Sequence, residues 1–202
     1  MTVLLTTAYF PPVSYFIAIK KSDAVIVEAS ENFVKQSYRN RCRISTAQGI
    51  RELVVPVKHG KGKKIPIRDV EIDYGQPWQK NHWKSLETAY NRSPFFEYYK
   101  DHLQLFFNKR YDGLFAFNQA ILQECLRFVN LRPTIEFTQE YQLKSPDHLL
   151  DLRASIHPKA AVPVELQSKI YPQVFEDRQA FQAGLSILDL LFSQGPNAHS
   201  KL

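Results

Sequence analysis

The strongest constraint on the fold is a β-α-β pattern at the start of the chain. Residues 3–7 are apolar and rich in β-branched side chains, and residues 24–27 are a second run of the same kind. Between them, Pro11-Pro12 predicts a turn, and residues 13–20 are long enough for about two helical turns. A strand, a helix and a strand in this order form a parallel pair with a right-handed crossover. The pattern therefore predicts an α/β fold (mixed α+β), with this unit opening a mixed sheet.

A basic hairpin region is expected next. Residues 43–46 and 51–57 have strand-like composition, and Gln48-Gly49 between them favours a β-hairpin. In residues 65–73, apolar Val70 and Ile72 alternate with acids, which predicts another strand.

A central helical segment follows, and the chain closes with a short strand and a short helix. The predicted elements are helices at residues 77–90, from Ser93 onward and between Gly113 and Pro133, a strand at 134–138 and a helix at 185–192. Gly195-Pro196 is expected to end the last helix. Residues 142–165 show the least periodicity. Because no repeat or linker divides the chain, residues 1–202 are expected to form a single domain.

Composition narrows the class of protein. No run of roughly 18 apolar residues is present, so a membrane span is not expected. The first residues lack the basic segment of a signal peptide and predict a strand. Cys42 and Cys125 predict reduced thiols in a cytoplasmic protein. The scattered His and Cys give no ligand spacing for a metal, and no organic cofactor is implied.

The positive charge is concentrated in one segment. The chain carries a net charge of +6, but residues 35–68 hold ten Lys and Arg against the single acid Glu52. This segment favours an anionic partner such as a phosphate, a nucleotide or nucleic acid. The alternative is a solvated hairpin whose lysines protect strand edges from aggregation.

The first candidate site is the turn after the first strand, which contains Tyr9, Pro11 and Tyr15. Ligands of open α/β sheets bind at the carboxyl ends of strands, beside helix N-termini that attract anions. The two tyrosines could stack on a base or donate hydrogen bonds to a sugar. A rigid proline turn packed by aromatic side chains is the alternative.

The second candidate site is the arginine group Arg39, Arg41 and Arg43. On a strand these side chains would share one face, and guanidinium groups suit bidentate binding of phosphate. Internal pairing with Glu28, Glu31 or Asp73 is the alternative.

The third candidate group combines Trp78, His82 and Tyr90 on a predicted helix with Lys58 and His59 in a glycine-lysine loop. An imidazole titrates near neutrality, so His82 is the best candidate for a general base. A lone helical histidine is more often structural, which is the alternative. His59 could belong to a mobile lid. No GxGxxG, GxSxG, HExxH or Walker motif is present.

Several of these segments occur together in one known family. They are Thr7-Ala8-Tyr9-Phe10-Pro11-Pro12, Tyr38-Arg39-Asn40-Arg41-Cys42, Leu53-Val54-Val55-Pro56-Val57, Trp78 with His82-Trp83, Tyr90 with Ser93-Pro94-Phe95-Phe96, and Leu185-Ser186-Ile187-Leu188-Asp189-Leu190-Leu191-Phe192. In this order they resemble the WbqC-like family over nearly the whole chain. The resemblance implies a bacterial protein of O-antigen or other surface-polysaccharide biosynthesis. It further implies a transferase that adds an acyl or amino-acyl group, glycine having been suggested, to an amino sugar.

The candidate residues can be given roles in such a reaction. A nucleotide-linked sugar would bring a pyrophosphate for the three arginines and a base for Tyr9 or Tyr15. His82 could take the amine proton, and Asn40 or backbone N–H groups of the first helix could stabilise an oxyanion. The expected partner is thus an anionic small molecule, a nucleotide sugar.

Two other function classes stay open. A non-catalytic scaffold of a polysaccharide assembly system would display a large apolar patch and lack an enclosed polar pocket. A nucleic-acid-binding module would use residues 35–68, but the remaining chain has a net charge of −3 and no helix-turn-helix signature. Nucleic acid is therefore the least favoured partner.

Overall fold

The computed structural model describes residues 1–58 and 64–202. Its centre is a four-stranded sheet of parallel neighbours, in the order β5-β2-β1-β6. The strands are β1 (Thr2–Thr6), β2 (Ala24–Glu28), β5 (Ile135–Phe137) and β6 (Leu149–Asp151). Helix α1 (Val13–Lys20) connects β1 to β2, so the predicted β-α-β opening is confirmed.

The two faces of this sheet differ. Val3, Leu5, Val25 and Val27 have no exposed surface and belong to the hydrophobic core. On the opposite face, the parallel register aligns Leu4 with Ile26 and Asp151, and Ile26 with Glu136. The chain passes from β1 to β2 to β5 in one direction and returns to β6 through residues 138–148, which contain no helix. Because such crossovers are right-handed, residues 138–148 lie on the second face of the sheet. A loop, and not a helix, therefore covers that face.

An antiparallel hairpin forms a second, two-stranded sheet, as predicted. Strands β3 (Arg41–Thr46) and β4 (Gly49–Val54) pair over their whole length. Gly49 adopts φ +106° at the turn, a conformation that favours glycine.

The strand predicted at residues 65–73 is wrong. These residues contain a 3-10 turn at Ile67–Asp69 and make only isolated bridges. The Ile72 N–H donates to the Asp112 carbonyl, whereas the Asp73 N–H donates to the Pro56 carbonyl. Val70 and Ile72 are buried as their alternation indicates, but the backbone of this segment bonds to different partners and forms no continuous ladder.

The predicted helices are confirmed with small shifts of their ends. They are α2 (Trp78–Tyr90), α3 (Phe96–Asn108), α4 (Leu114–Phe128) and α5 (Ile187–Gln194), followed by the single turn α6 (Ala198–Lys201). Helix α5 ends at Gly195, which has φ +53°. Strand β6 was not predicted, because three residues are too few to show a period of two.

Candidate functional site

The carboxyl ends of the four parallel strands carry a connected group of charged side chains. Arg153, just after β6, donates from Nη1 to Oε2 of Glu28 at 2.9 Å and from Nη2 to Oδ2 of Asp151 at 2.7 Å. Thr138, just after β5, donates from Oγ1 to Oε1 of Glu28 at 2.5 Å. Glu28 is 1% exposed, so this carboxylate exchanges its hydration for these contacts. The bonds connect β2, β5 and β6 along one edge of the sheet.

A crevice opens beside this group on the loop-covered face. Its volume is about 390 Å³, within the range of small-molecule sites. Leu4 and Ile26 belong to its apolar lining, and Glu28, Glu136 and Glu140 bring three carboxylates to it. Arg153 also lines the crevice, but its charge is already bound to Glu28 and Asp151. We call this the acidic crevice.

A second buried ion pair lies next to the crevice. Arg39 donates to Glu31 through Nε at 2.7 Å and through Nη2 at 2.5 Å, and both side chains are 6% exposed. Burial raises the pKa of Glu31, and the charge of Glu28 adds to the rise, while Arg39 and Arg153 oppose it. The charges of Glu28, Arg39 and Arg153 therefore all act on Glu31, and we call these four residues the charged network.

The network continues into a basic cluster, defined as Arg39, Arg41, Arg43, His157 and Lys159. Burial lowers the pKa of His157, and the positive charges of Arg39, Lys159, Arg41 and Arg43 lower it further. Because the three predicted arginines all act on His157, they lie near the loop that contains His157 and Lys159. Sequence analysis did not connect this loop with the arginines.

The arginines do not share one strand face. Arg39 precedes β3 and turns inward to Glu31, one of the internal partners considered above. Arg41 and Arg43 do lie on one face of β3, where both donate to Glu52 of β4. A single carboxylate therefore serves two guanidinium groups, and the cluster keeps an excess of positive charge.

The predicted residues Tyr9, Trp78 and His82 meet in the interior. The Tyr9 hydroxyl and His82 Nδ1 are 3.0 Å apart, and the Trp78 and His82 rings lie 5.2 Å apart. His82 is 6% exposed, and burial lowers its pKa to about 4, with a hydrogen bond to the backbone of Val54 in opposition. A neutral, hydrogen-bonded imidazole is thus part of the core. A catalytic role for His82 stays a prediction.

Asn40 also points into the interior. Its Nδ2 donates to the Val55 carbonyl at 2.9 Å, which fixes the segment that follows β4. In the part of the chain that the structure describes, the buried Asn40 Oδ1 atom has no hydrogen-bond partner.

The turn after β1 is packed by its own aromatic side chains. The Tyr15 hydroxyl donates to the Thr6 carbonyl at 3.0 Å, and burial raises the pKa of Tyr15. The Pro11 carbonyl accepts from the Ile187 N–H, and the Val13 N–H donates to the Leu185 carbonyl. The start of α1 is therefore covered by the segment before α5, as the proline-turn alternative describes. Binding roles for Tyr9, Pro11 and Tyr15 stay predictions.

Tyr90 joins the hairpin to α5. Its hydroxyl accepts from the Ser45 N–H at 2.9 Å and donates to Oδ1 of Asp189 at 3.0 Å. Tyr171 donates to the other carboxylate oxygen at 2.8 Å, and Gln173 donates to it at 3.2 Å. Burial raises the pKa of Asp189 to about 6, although these three donors oppose the rise.

The last predicted residues lie at the surface. Lys58 pairs with Glu71 at 2.9 Å, and both side chains are 62% exposed. His59 lies outside the described residues.

Sequence analysis did not single out several residues that the structure brings to the candidate sites, namely Asp189, Asp151, Arg153, Glu136 and Glu140. Asp189 had a signal, because it is the one acid among the apolar residues 187–192 of α5. Asp151 and Arg153 had none, because they fall in the aperiodic segment. Glu28 was considered only as a partner for the arginines.

Within residues 1–58 and 64–202, no helix is both long and apolar enough to cross a membrane. The same residues contain no group of three or more His, Cys, Asp or Glu arranged to hold a metal ion.

Comparisons with known proteins agree with the resemblance found in the sequence. A curated relative, the uncharacterized protein Rv1507c of Mycobacterium tuberculosis (strain ATCC 25618 / H37Rv), is 26% identical over 220 residues, covering 96% of this chain and 94% of the relative. No solved structure matches the chain significantly. Residues 7–163 match the sequence profile of the WbqC-like protein family, which includes the turn after β1, the hairpin, α2 to α4 and the charged edge of the sheet. The chain therefore belongs to the WbqC-like protein family.

Proposed function

We propose that this protein is a transferase of surface-polysaccharide biosynthesis that adds an acyl or amino-acyl group to the amine of a nucleotide-linked amino sugar. The observation that carries the proposal is that Glu28 of the acidic crevice ends β2, while Glu31, shortly after it in the chain, binds Arg39 of the basic cluster. A nucleotide-linked amino sugar has a cationic amine and an anionic diphosphate in one molecule. Groups of both charges that are connected through this short segment suit that substrate.

Strand order supports the same location. In the order β5-β2-β1-β6, the chain moves to one side of β1 first and to the other side last, so the topology reverses next to β1. Ligands of open α/β sheets bind at the carboxyl ends of strands at such a reversal. Asp151 ends β6 and Arg153 follows it, so both lie on one side of this reversal. Glu28 ends β2 and lies on the other side.

In this proposal the crevice holds the sugar amine. Glu136 and Glu140 are exposed carboxylates at the crevice, and neither forms an ion pair with another residue of the ranges 1–58 and 64–202. They attract the ammonium form and then accept its proton. Arg41, Arg43 and Lys159 face the diphosphate, for which guanidinium groups give bidentate hydrogen bonds.

The reaction is an acyl transfer. The free amine attacks the carbonyl carbon of an activated acyl donor, a C–N bond forms, and the bond to the donor's leaving group breaks. The amine proton passes to a crevice carboxylate, for which Glu136 is the first candidate because the sheet register aligns it with Ile26 in the crevice lining. This assignment replaces His82 as the preferred base, since His82 is enclosed by Tyr9 and Trp78.

We further propose that residues 1–202 act as one domain. A single buried cluster contains Val3 near the start and Ala198 near the end of the chain.

Titration calorimetry with paired ligands tests the function. UDP-glucosamine carries a sugar with an amine, UDP-glucose carries a sugar without the amine, and UDP carries no sugar. The corresponding amino sugar, neutral sugar and free diphosphate of the other common nucleotides are measured in the same way. We expect the amino sugar to bind about tenfold more tightly than the neutral sugar, a difference of about 1.4 kcal/mol. Glu136→Gln should abolish this preference, and Glu97→Gln, an exposed substitution on α3, should keep it.

Other results would redirect the interpretation. Equal affinities for amino and neutral sugars in the wild-type protein would refute the amine site. If no nucleotide sugar binds, the non-catalytic scaffold is favoured. If only a duplex oligonucleotide binds, and this binding is lost at high salt, the nucleic-acid-binding module is favoured.

A further inference from the structure

A groove runs along α2, with a lining separate from that of the acidic crevice. It consists of two adjoining cavities of about 650 Å³ and 790 Å³ that share Thr88, Ala89 and Phe175 in their linings. From Asn81 to Ala89, the α2 side of the groove extends about 12 Å at 1.5 Å per residue, and Asn91 to Pro94 continue the lining beyond the end of the helix. A single monosaccharide or amino acid would leave part of this length empty, so the dimensions favour a chain-like ligand.

The groove is lined by short polar side chains prepared to accept hydrogen bonds. Ser85, Thr88 and Ser93 donate their hydroxyls to backbone carbonyls at 2.8, 2.7 and 2.6 Å. Their oxygen lone pairs are left to accept from a ligand. Ser193 belongs to the same lining, and its buried hydroxyl oxygen has no hydrogen-bond partner within residues 1–58 and 64–202. An array of hydroxyl acceptors suits a ligand rich in O–H donors.

An aromatic side chain lies where the two cavities meet. Phe175 is partly buried and lines both of them. A ring in this position gives the apolar face of a sugar a surface to pack on, while the polar residues around it bond to the hydroxyls.

The charge of the groove is positive. Arg51 and Lys84 lie at one end, and Arg92 lies at the other. The two acids in the lining are already engaged, since Glu52 binds Arg41 and Arg43, and Asp177 binds Arg178. The cations at the two ends therefore remain to attract negative charge distributed along a ligand.

We propose that this groove binds an acidic oligosaccharide, a chain of sugar units that carries carboxylates or phosphates. Hydroxyl acceptors, one aromatic platform and cations at both ends match the three chemical properties of such a chain. The groove shares no lining residue with the acidic crevice among the described residues. The inference thus goes beyond the proposed function and adds a second site that would hold a growing or acceptor glycan.

The test measures binding of defined oligogalacturonates, from the monomer to the hexamer, with neutral malto-oligosaccharides of equal length as comparison. We expect affinity for the acidic chain to rise from monomer to trimer and to exceed that for the neutral chain by at least tenfold. Lys84→Gln/Arg92→Gln should weaken binding of the acidic chain at least tenfold. A matched double variant, Lys80→Gln/Lys100→Gln, removes the same charge from two positions outside this lining, one exposed and one half-buried, and should bind like the wild type.

Four outcomes would overturn the inference. They are failure of the wild type to bind any of the acidic chains, affinity independent of chain length, equal losses in the two double variants, and equally tight binding of an oligoglutamate peptide. Glu136→Gln separates the two proposals, because it should leave oligogalacturonate binding unchanged even where it abolishes the preference for amino sugars.

Discussion

Replacing Tyr90 with phenylalanine tests whether the buried Asp189 is held as an ionised group. The Tyr90 hydroxyl accepts from the Ser45 N–H and donates to Asp189, so Tyr90→Phe breaks two hydrogen bonds and keeps the ring. An unpaired buried N–H costs about 1–3 kcal/mol, and this cost at Ser45 is independent of pH. The hydrogen bond to Asp189 depends on pH, since bonds to charged groups are worth about 1.5–3 kcal/mol and neutral ones about 0.5–1.5 kcal/mol.

The direction of the pH effect follows from the raised pKa of Asp189, about 6 in the folded protein against an ordinary value of 3.8. The folded state holds the proton more tightly, so stability from this group falls as pH rises from about 4 to about 6. Loss of the Tyr90 donor raises the folded pKa further, by about one unit for about 1.4 kcal/mol. In the variant the decline therefore continues to about pH 7.

Urea unfolding at pH 5 and pH 8 measures the effect. At pH 5, where Asp189 is mostly protonated, the substitution should lower the free energy of unfolding by about 1.5–4.5 kcal/mol, the sum of the unpaired Ser45 N–H and a neutral hydrogen bond. At pH 8 it should lower it by about 1–2 kcal/mol more than that. Tyr98→Phe is the control, because Tyr98 is 68% exposed and its replacement should change stability by less than about 0.5 kcal/mol. Equal penalties at the two pH values would show that Asp189 is not ionised in the folded protein at pH 8.

Three further predictions concern the interior. The wild type should lose about 3 kcal/mol of stability as the pH falls from 6.5 to 4, because the folded state keeps His82 neutral to about pH 4 while the unfolded chain takes up a proton. His82→Gln should remove this loss, and parallel pH profiles of urea unfolding for the variant and the wild type would contradict the prediction. Gly195→Ala should lower the unfolding free energy by at least about 1 kcal/mol, since φ is +53° and a Cβ would lie 2.4 Å from the Phe95 ring; an unchanged thermal midpoint would refute it. The thiols of Cys42 and Cys125 should react with a maleimide only as fast as the protein unfolds, because both are buried and burial raises their pKa; fast labelling of the native protein would be incompatible with this.

Local patterns predicted most of the secondary structure. The β-α-β opening, the hairpin, the central helices and the last helix follow from runs of β-branched residues, turn residues and helical spacing. These signals act over a few residues. The predictions failed where the local pattern and the long-range pairing disagree. Val70 and Ile72 show the alternation of a strand but form no continuous ladder, whereas β6 pairs with β1 although its sequence shows no strand pattern.

The candidate site was predictable only in part. The sequence indicated that Arg39, Arg41 and Arg43 needed acidic partners or an anion, because like charges repel. Which acids they found, Glu31 and Glu52, depended on the path of the chain. The acidic crevice was not predictable, since no local signal marks Glu136 or Arg153 as neighbours of Glu28.

The sequence by itself therefore determined the types of element, the buried faces and the concentration of positive charge in one segment. It determined these because side-chain size, branching and charge act on the nearest residues. Only the tertiary structure decided the order of the sheet and the contacts of Glu28 with Arg153, Tyr9 with His82 and Tyr90 with Asp189, which join residues 125, 73 and 99 positions apart. Such contacts depend on how the elements pack, because a buried charge or hydroxyl takes whichever partner the topology brings within hydrogen-bonding distance.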